Sequence, residues 1–224
     1  MPKAIIFDWD QTLAHTKSAI LQSIEHTLKK YNKEPWKITK RKYQDITKSL
    51  KDNFPNYFGT AAKEAYKDYL QHYEKYSYNL VRPMEQAIIF LHLCQQKNIE
   101  LHIASSKEKS LLIKEIKLCY PDIKFLNILG HNDAKQNKPA PDPILKILEN
   151  ANYPINFENV WMIGDSQQDT DCAYNAHIQP ILMGKGNLMT KNYIQQHQNS
   201  IPPLLVFTDF KEITLYLNQT DNKK

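Results

Sequence analysis

The chain opens on a short apolar run, residues 3–8 (KAIIFD), closed by a carboxylate. An uninterrupted run of this length suits a buried parallel strand whose C-terminal end opens into a site. From Thr16, placed as an N-cap, the apolar positions Ile20, Ile24, Leu28 and Tyr31 recur at helical spacing, and the stretch from Asn32 to Pro35 ends the pattern. A second helix is expected at about 39–51, before Pro55 and Gly59 interrupt the chain. Ala62, Tyr66, Tyr69, Tyr73 and Tyr76 then alternate steps of four and three. That spacing places one aromatic stripe on a third helix, read as core rather than as a cofactor-binding face.

After Pro83 the pattern switches to alternating helix and strand. Helices at 84–97, 107–118, 141–151 and 169–176 are expected between or beside strands at 99–104, 125–129, 159–164 and 179–183. PLLVF at 203–207 adds an edge strand, a helix at 209–217 closes the domain, and Asn218 to Lys224 read as a frayed end. The apolar runs IELHIA, NVWMIG and PILM are short enough for buried parallel strands, with the helices as right-handed crossovers. The expected fold class is therefore α/β: a Rossmann-like parallel sheet flanked by helices, with an inserted all-helical cap domain. The core domain takes residues 1–16 and 83–224, and the cap takes 17–82, inserted after the first strand. Open parallel sheets bind ligands beyond the carboxyl ends of their strands, so residues following positions 8, 104 and 164 should converge, with the cap over that edge.

Composition bounds the reading without redirecting it. With 224 residues, 42% of them hydrophobic, the chain can bury a full core. No apolar run approaches the roughly 20 residues a membrane span needs, and Met1 to Ala4 lead straight into Ile5 without a signal-type hydrophobic region; a cytoplasmic, non-membrane protein is expected. Cys94, Cys119 and Cys172 are odd in number and lack CxxC spacing, so they are read as buried thiols. The formal charge of +5 is uneven: residues 17–82 hold 14 Lys/Arg against 7 Asp/Glu, together with 11 of the 24 aromatic residues. Basic segments with aromatic platforms can bind single-stranded nucleic acid. An aromatic cap core with a solvated lysine face accounts for the same pattern and is preferred, so nucleic acid is not expected as a partner.

Four elements carry candidate chemistry. Asp8 and Asp10 flank Trp9 at the end of the first strand, in FDWDQTL. Paired carboxylates repel and are costly to bury, which makes sense around a hard cation or with one of them protonated; a turn or helix cap is the competing reading. GDSQQDTD places Asp165 and Asp169 after another strand, four residues apart on an opening helix. Asp8 and Asp165 with the Asp10 backbone carbonyl would suffice for Mg²⁺, whereas neither segment has the glycine and terminal glutamate of an EF-hand. Ser105 and Ser106 follow LHIA, where a hydroxyl and free N–H groups can grip phosphate oxygens, although a simple N-cap is the commoner use of serine there. Lys138 in NKPAPDP gains weight from its place in the set, because a lysine near several carboxylates would neutralise a phosphoryl group.

The ordered set, strand–DxDxTL, strand–Ser, Lys-Pro, strand–GDSxxD, resembles the haloacid dehalogenase-like hydrolase superfamily, and its KPAPDP and GDSQQDT segments look most like the phosphoglycolate-phosphatase and β-phosphoglucomutase branch. The resemblance covers residues 3–16 and about 83–185; the cap matches in position and helical character, as in subclass I members. It implies a Mg²⁺-dependent phosphatase acting on a small phosphorylated metabolite, with the protein a monomer or homodimer. Asp8 would be the nucleophile, Asp10 the acid/base group, and Ser105, Ser106 and Lys138 the phosphate-binding groups, with Asp8, Asp10, Asp165 and Asp169 at the metal. Asp169 either ligates through water or orients Lys138. An acid/base aspartate at position 10 favours phosphate chemistry over carbon–halogen cleavage, and a sugar-phosphate mutase or a catalytically silent binding protein are the alternatives. Two departures stand out: Gln11 where the family usually has Gly, and His15 where it often has Asp. Gln tolerates positive φ poorly, so the loop after Asp10 is expected to follow a different path or to contact substrate.

Overall fold

The computed structural model describes residues 1–45, 48–184, 188–197 and 199–221. The chain runs through β1 (Ala4–Phe7) and β2 (Ala14–His15), then α1 (Lys17–Lys30), α2 (Trp36–Tyr43), α3 (Phe54–Phe58) and α4 (Ala62–His72), and returns through β3 (Arg82–Pro83). There follow α5 (Ala87–Gln96), β4 (Glu100–Ala104), α6 (Lys109–Cys119), β5 (Asn127–Leu129), α7 (Asp142–Ile147), β6 (Val160–Gly164), α8 (Gln167–Asn175), β7 (Gln179–Met183), α9 (Leu188–His197), β8 (Leu205–Phe207) and α10 (Phe210–Asp221). The chain divides into two compact units, Met1–Ala14 with Pro83–Lys224, and His15–Arg82.

The first unit is a six-stranded sheet in the order β5-β4-β1-β6-β7-β8, with parallel pairing throughout. The α/β class with an inserted all-helical segment is thus the observed architecture. β1 lies at the centre, Ile5 in register with Leu101 on one side and Trp161 on the other, and all four of its residues are fully buried. Burial on both faces is why its sequence reads as continuous apolar rather than alternating. One face packs Ile6, Ala104 and Met162 against Ile144, Cys172, Ala173 and Ile178. On the other, Phe7 meets Phe90 edge-on at 6.2 Å, and Phe90 meets Phe210 at 5.5 Å.

The second unit is helical. α1 buries Ala19, Ser23, Ile24, Thr27 and Leu28 along one stripe. Its polar members are satisfied internally: Thr27 Oγ1 donates to the Ser23 carbonyl at 2.8 Å, and Ser23 Oγ to Ser77 Oγ at 2.8 Å. Thr16 occupies the N-cap position, but its side chain makes no capping bond. The core is aromatic, with Phe54, Tyr57, Phe58, Tyr69 and Tyr73 all buried.

Several expected boundaries move. α2 ends at Tyr43 and the stretch expected to remain helical to 51 does not; residues 46 and 47 of it lie outside the described residues. The tyrosine stripe is interrupted because α4 gives way to a π-helical turn over Tyr73–Ser77. A wider turn rotates the following side chains, and Tyr76 ends 56% exposed although Tyr73 is buried. α9 was not expected, and α10 continues to Asp221 rather than fraying from Asn218; Asn222 to Lys224 lie outside the described residues. Cys94 and Cys172 are buried thiols, but Cys119 is partly exposed. Among the described residues no helix is long and apolar enough to cross a membrane.

Candidate active site

Asp8 follows β1 directly, and its N–H still donates to Ile163 O at 2.9 Å, so the last rung of the β1–β6 pairing fixes the backbone that carries the carboxylate. Beyond it the chain turns sharply: the N–H groups of Leu13 and Ala14 both donate to Trp9 O, at 3.0 and 3.1 Å, and Gln11 N donates to Ala14 O at 2.8 Å. Gln11 sits at φ 62°. The left-handed conformation that glycine adopts easily is taken here by glutamine, at a conformational cost.

The exit of β6 supplies the second group. Asp165 follows Gly164, and α8 opens at Gln167, so Asp165 precedes the helix instead of lying on it. Ser166 is the N-cap, and its N–H and Oγ donate to Asp169 Oδ2 at 3.1 and 2.5 Å in a reciprocal capping box. The same carboxylate accepts a hydrogen bond from Lys138 Nζ at Oδ1, 2.6 Å away. Both oxygens of Asp169 are thus engaged, Oδ1 by Lys138 and Oδ2 by Ser166.

Lys138 also reaches Asp8 Oδ1 at 2.6 Å. The ammonium is thus clamped between two buried carboxylates, with 4% of its side chain exposed. Burial opposes its charge, but Asp169 and Asp8 outweigh that and hold Lys138 protonated well above its usual range. Burial pushes Asp8 up to about 7, against the pull of Lys138, with Asp169 and Asp10 adding to the rise. Asp165 is pushed up to about 8 by the protein packed around it, then by Asp8 and Asp169. Its side chain still opens to solvent, which moderates that rise, so the firmer perturbation is that of Asp8.

Carboxylate oxygens of Asp8, Asp165 and Asp169 lie within 4.8 Å of one another. An all-oxygen donor set crowded enough to raise two of its own carboxyls fits a hard divalent cation, which would relieve the repulsion. Asp10 stands outside this cluster. Its Oδ1 is 2.8 Å from Lys107 Nζ, and Lys107 lies 3.4 Å from Glu115 Oε1. Ser105 and Ser106 line a small pocket together with Gly130, Asn137 and Lys138. Ser105 does not cap α6, whose N-cap is Glu108; its Oγ accepts from Lys107 N–H at 3.2 Å. His15 is exposed. The pair Lys107 and Glu115 went unnoticed in the sequence because nothing local marks it, whereas the Ser166–Asp169 box is a four-residue pattern that could have been read.

Known proteins resemble the chain over most of its length. Residues 5–183 match the family described as haloacid dehalogenase-like hydrolase. The chain is 26% identical over 215 residues to the pyrophosphatase PpaX of Oceanobacillus iheyensis, covering 94% of each, and 27% identical over 207 residues to that of Halalkalibacterium halodurans, covering 90% and 94%. A superfamily hydrolase from Ehrlichia chaffeensis superposes with a TM-score of 0.63 at 27% identity over 97% of each chain. A family hydrolase from Streptococcus pneumoniae gives 0.74 at 21% identity, over 96% of this chain and 98% of that one, a likeness of fold. With Asp8 and Asp165 at the ends of the neighbouring strands β1 and β6, and with four-fifths of its length matched, the chain belongs to the haloacid dehalogenase-like hydrolases.

Proposed function

We propose that this hydrolase is a Mg²⁺-dependent phosphatase that cleaves a small phosphorylated metabolite through an aspartyl-phosphate. The observation that carries the reading is the clamp: Lys138 Nζ stands 2.6 Å from both Asp8 and Asp169, with Asp165 beside them. A carboxylate nucleophile needs its charge balanced without being buried behind its counter-ion, and holding Lys138 by one oxygen of Asp8 meets that need. In this reading an Asp8 oxygen attacks phosphorus in line while the bond to the leaving oxygen breaks. Asp10 protonates that oxygen, then takes a proton from the water that attacks the acyl phosphate and frees Asp8. Lys138, Ser105 and Ser106 meet the charge on the phosphoryl oxygens. Asp8, Asp165 and the Asp10 backbone carbonyl would hold the Mg²⁺, with Asp169 acting through Lys138. When bound, the ion supplies further neutralisation of phosphoryl charge.

The substrate is argued from two directions. The KPAPDP and GDSQQDT segments favour a phosphoglycolate-type phosphomonoester. Relatives named pyrophosphatase favour the phosphoanhydride of pyrophosphate, a second reading. A panel holding phosphoglycolate, sugar phosphates, nucleoside monophosphates and pyrophosphate, assayed with Mg²⁺ and with EDTA beside Asp8→Asn, decides. Metal-dependent turnover abolished in Asp8→Asn supports the proposal. Turnover of no member, or undiminished turnover by Asp8→Asn, rejects it.

A further inference from the structure

We propose that Lys107, held by the buried Glu115, is a positioning residue that aims the carboxylate of Asp10 at the leaving oxygen. The inference rests on the phosphatase reading and on Asp10 as its acid. Asp10 is the least enclosed carboxylate of the pair in FDWDQTL, its side chain 29% exposed, and a carboxylate on a turn at the mouth of a site has rotational freedom to lose. Lys107 takes that freedom away. Its Nζ is 2.8 Å from Asp10 Oδ1, and among the described residues Lys107 is the one side chain bonded to that carboxylate.

Lys107 is itself fixed. Its side chain is 6% exposed and lies 3.4 Å from Glu115 Oε1, and Glu115 has no exposed surface at all. The other oxygen of Glu115, Oε2, accepts from Trp9 Nε1 at 2.5 Å. Trp9 is wholly buried and packs edge-on against Tyr120 at 5.9 Å, while Tyr120 Oη donates to Leu13 O at 2.5 Å. The residue between the two aspartates thus anchors a glutamate on α6, the glutamate anchors a lysine, and the lysine returns to the second aspartate. A buried carboxylate without a hydrogen-bonded cation would be strongly unfavourable, so the chain of contacts holds its own geometry. The site consequently has two lysine clamps with different tasks. Lys138 serves the nucleophile and Lys107 serves the acid.

A group that positions an acid matters most where the leaving oxygen needs a proton. The test compares an alkyl phosphate with p-nitrophenyl phosphate, whose phenolate departs unprotonated, in wild type, Lys107→Met, Lys107→Arg and the double variant Lys107→Met/Glu115→Gln. The double variant leaves no unpaired buried carboxylate and keeps an acceptor for Trp9, so it remains informative if Lys107→Met alone does not fold. We expect kcat/KM for the alkyl ester, which covers phosphoryl transfer and leaving-group departure but not the later hydrolysis common to both esters, to fall about 30-fold, a part of the roughly 10²–10⁴-fold that general-acid catalysis supplies, while kcat/KM for p-nitrophenyl phosphate falls less than about fivefold. Lys107→Arg should recover part of the selective loss. Equal loss of kcat/KM on both esters overturns the role. If wild type itself turns over neither ester, the phosphatase reading has failed and this proposal with it; a working wild type with an unselective Lys107→Met rejects the positioning role alone.

Discussion

Gly164 and Asp169 approach so closely that a methyl group on Gly164 would stand 2.3 Å from both Cβ and Cγ of Asp169. The contact is between a strand end and the first turn of the helix that follows, so neither backbone can yield without disturbing the β6 pairing or the Ser166 capping box. Glycine is required here by the proximity of the Asp169 side chain. Gly164→Ala should displace Asp169, pull Oδ1 away from Lys138, and lower kcat about 100-fold, the scale of a 1 Å misplacement. Overpacking should cost about 1–3 kcal/mol of stability as well. Thermal unfolding and kcat on the best panel substrate check both, and an unchanged kcat would mean that Asp169 does not act through its position.

Lys138 neutralises two carboxylates that are almost wholly buried, Asp8 and Asp169. Lys138→Met removes that charge while keeping most of the volume. The expected loss in kcat is about 10²–10³-fold, as for removal of a preorganised electrostatic group. Leaving buried carboxylates without their cation should cost about 3–5 kcal/mol at pH 8. Acid protonates Asp8, which burial already raises to about 7, so the deficit relative to wild type should shrink at pH 5. Denaturant midpoints at the two pH values measure it; a deficit independent of pH would show that packing, not charge, was lost.

The raised carboxyls of the wild type set a pH dependence of their own. Asp8, at about 7, and Asp165, raised towards about 8, keep protons in the folded protein that the unfolded chain loses near 3.8. A group bound more tightly to its proton in the folded state contributes stability that is lost as pH rises through its folded pKa. Metal-free protein should therefore lose thermal stability as pH is raised from about 5 to 8. In the proposed function Mg²⁺ binds among these carboxylates and competes with those protons, so its stabilising effect should grow over the same interval. Tm scans in EDTA and in Mg²⁺ across this range test the claim, and an Mg²⁺ shift that is flat with pH would contradict it.

What the sequence could convey followed the range of each interaction. Strand β1 was legible from KAIIFD because burial on both faces writes itself into consecutive residues. Asp8, Asp165, Ser105 and Lys138 were legible because each lies where a strand or a proline pair fixes a loop. Glu115 is different. It is an ordinary polar residue within an amphipathic helix until Trp9, 106 positions away, and Lys107 are brought against it. The end of the tyrosine stripe was hidden for a local reason, since a π-turn preserves the residue types that helical spacing predicts and changes only the rotation. At Gln11 the structure shows a conflict that the sequence only suggests: a residue that disfavours positive φ stands at φ 62° in a hydrogen-bonded turn.

That conflict at Gln11 gives the final prediction. A non-glycine residue at φ 62° pays roughly 1–2 kcal/mol relative to the right-handed region. Glycine removes this cost but adds about 0.5–1 kcal/mol of unfolded-chain entropy to be lost on folding. The turn is fixed by the bonds from Leu13, Ala14 and Gln11 backbone groups, which a glycine retains. Gln11→Gly should therefore stabilise the protein by about 0.5–1 kcal/mol, a Tm rise of about 1–4 °C for a chain of this size. Gln11→Ala separates the two contributions, since it keeps the backbone cost and deletes the side chain beyond Cβ. If Gly stabilises and Ala does not, the backbone conformation is the source. A Gln11→Gly variant no more stable than wild type would show instead that the glutamine side chain compensates its own strain through the contacts it makes.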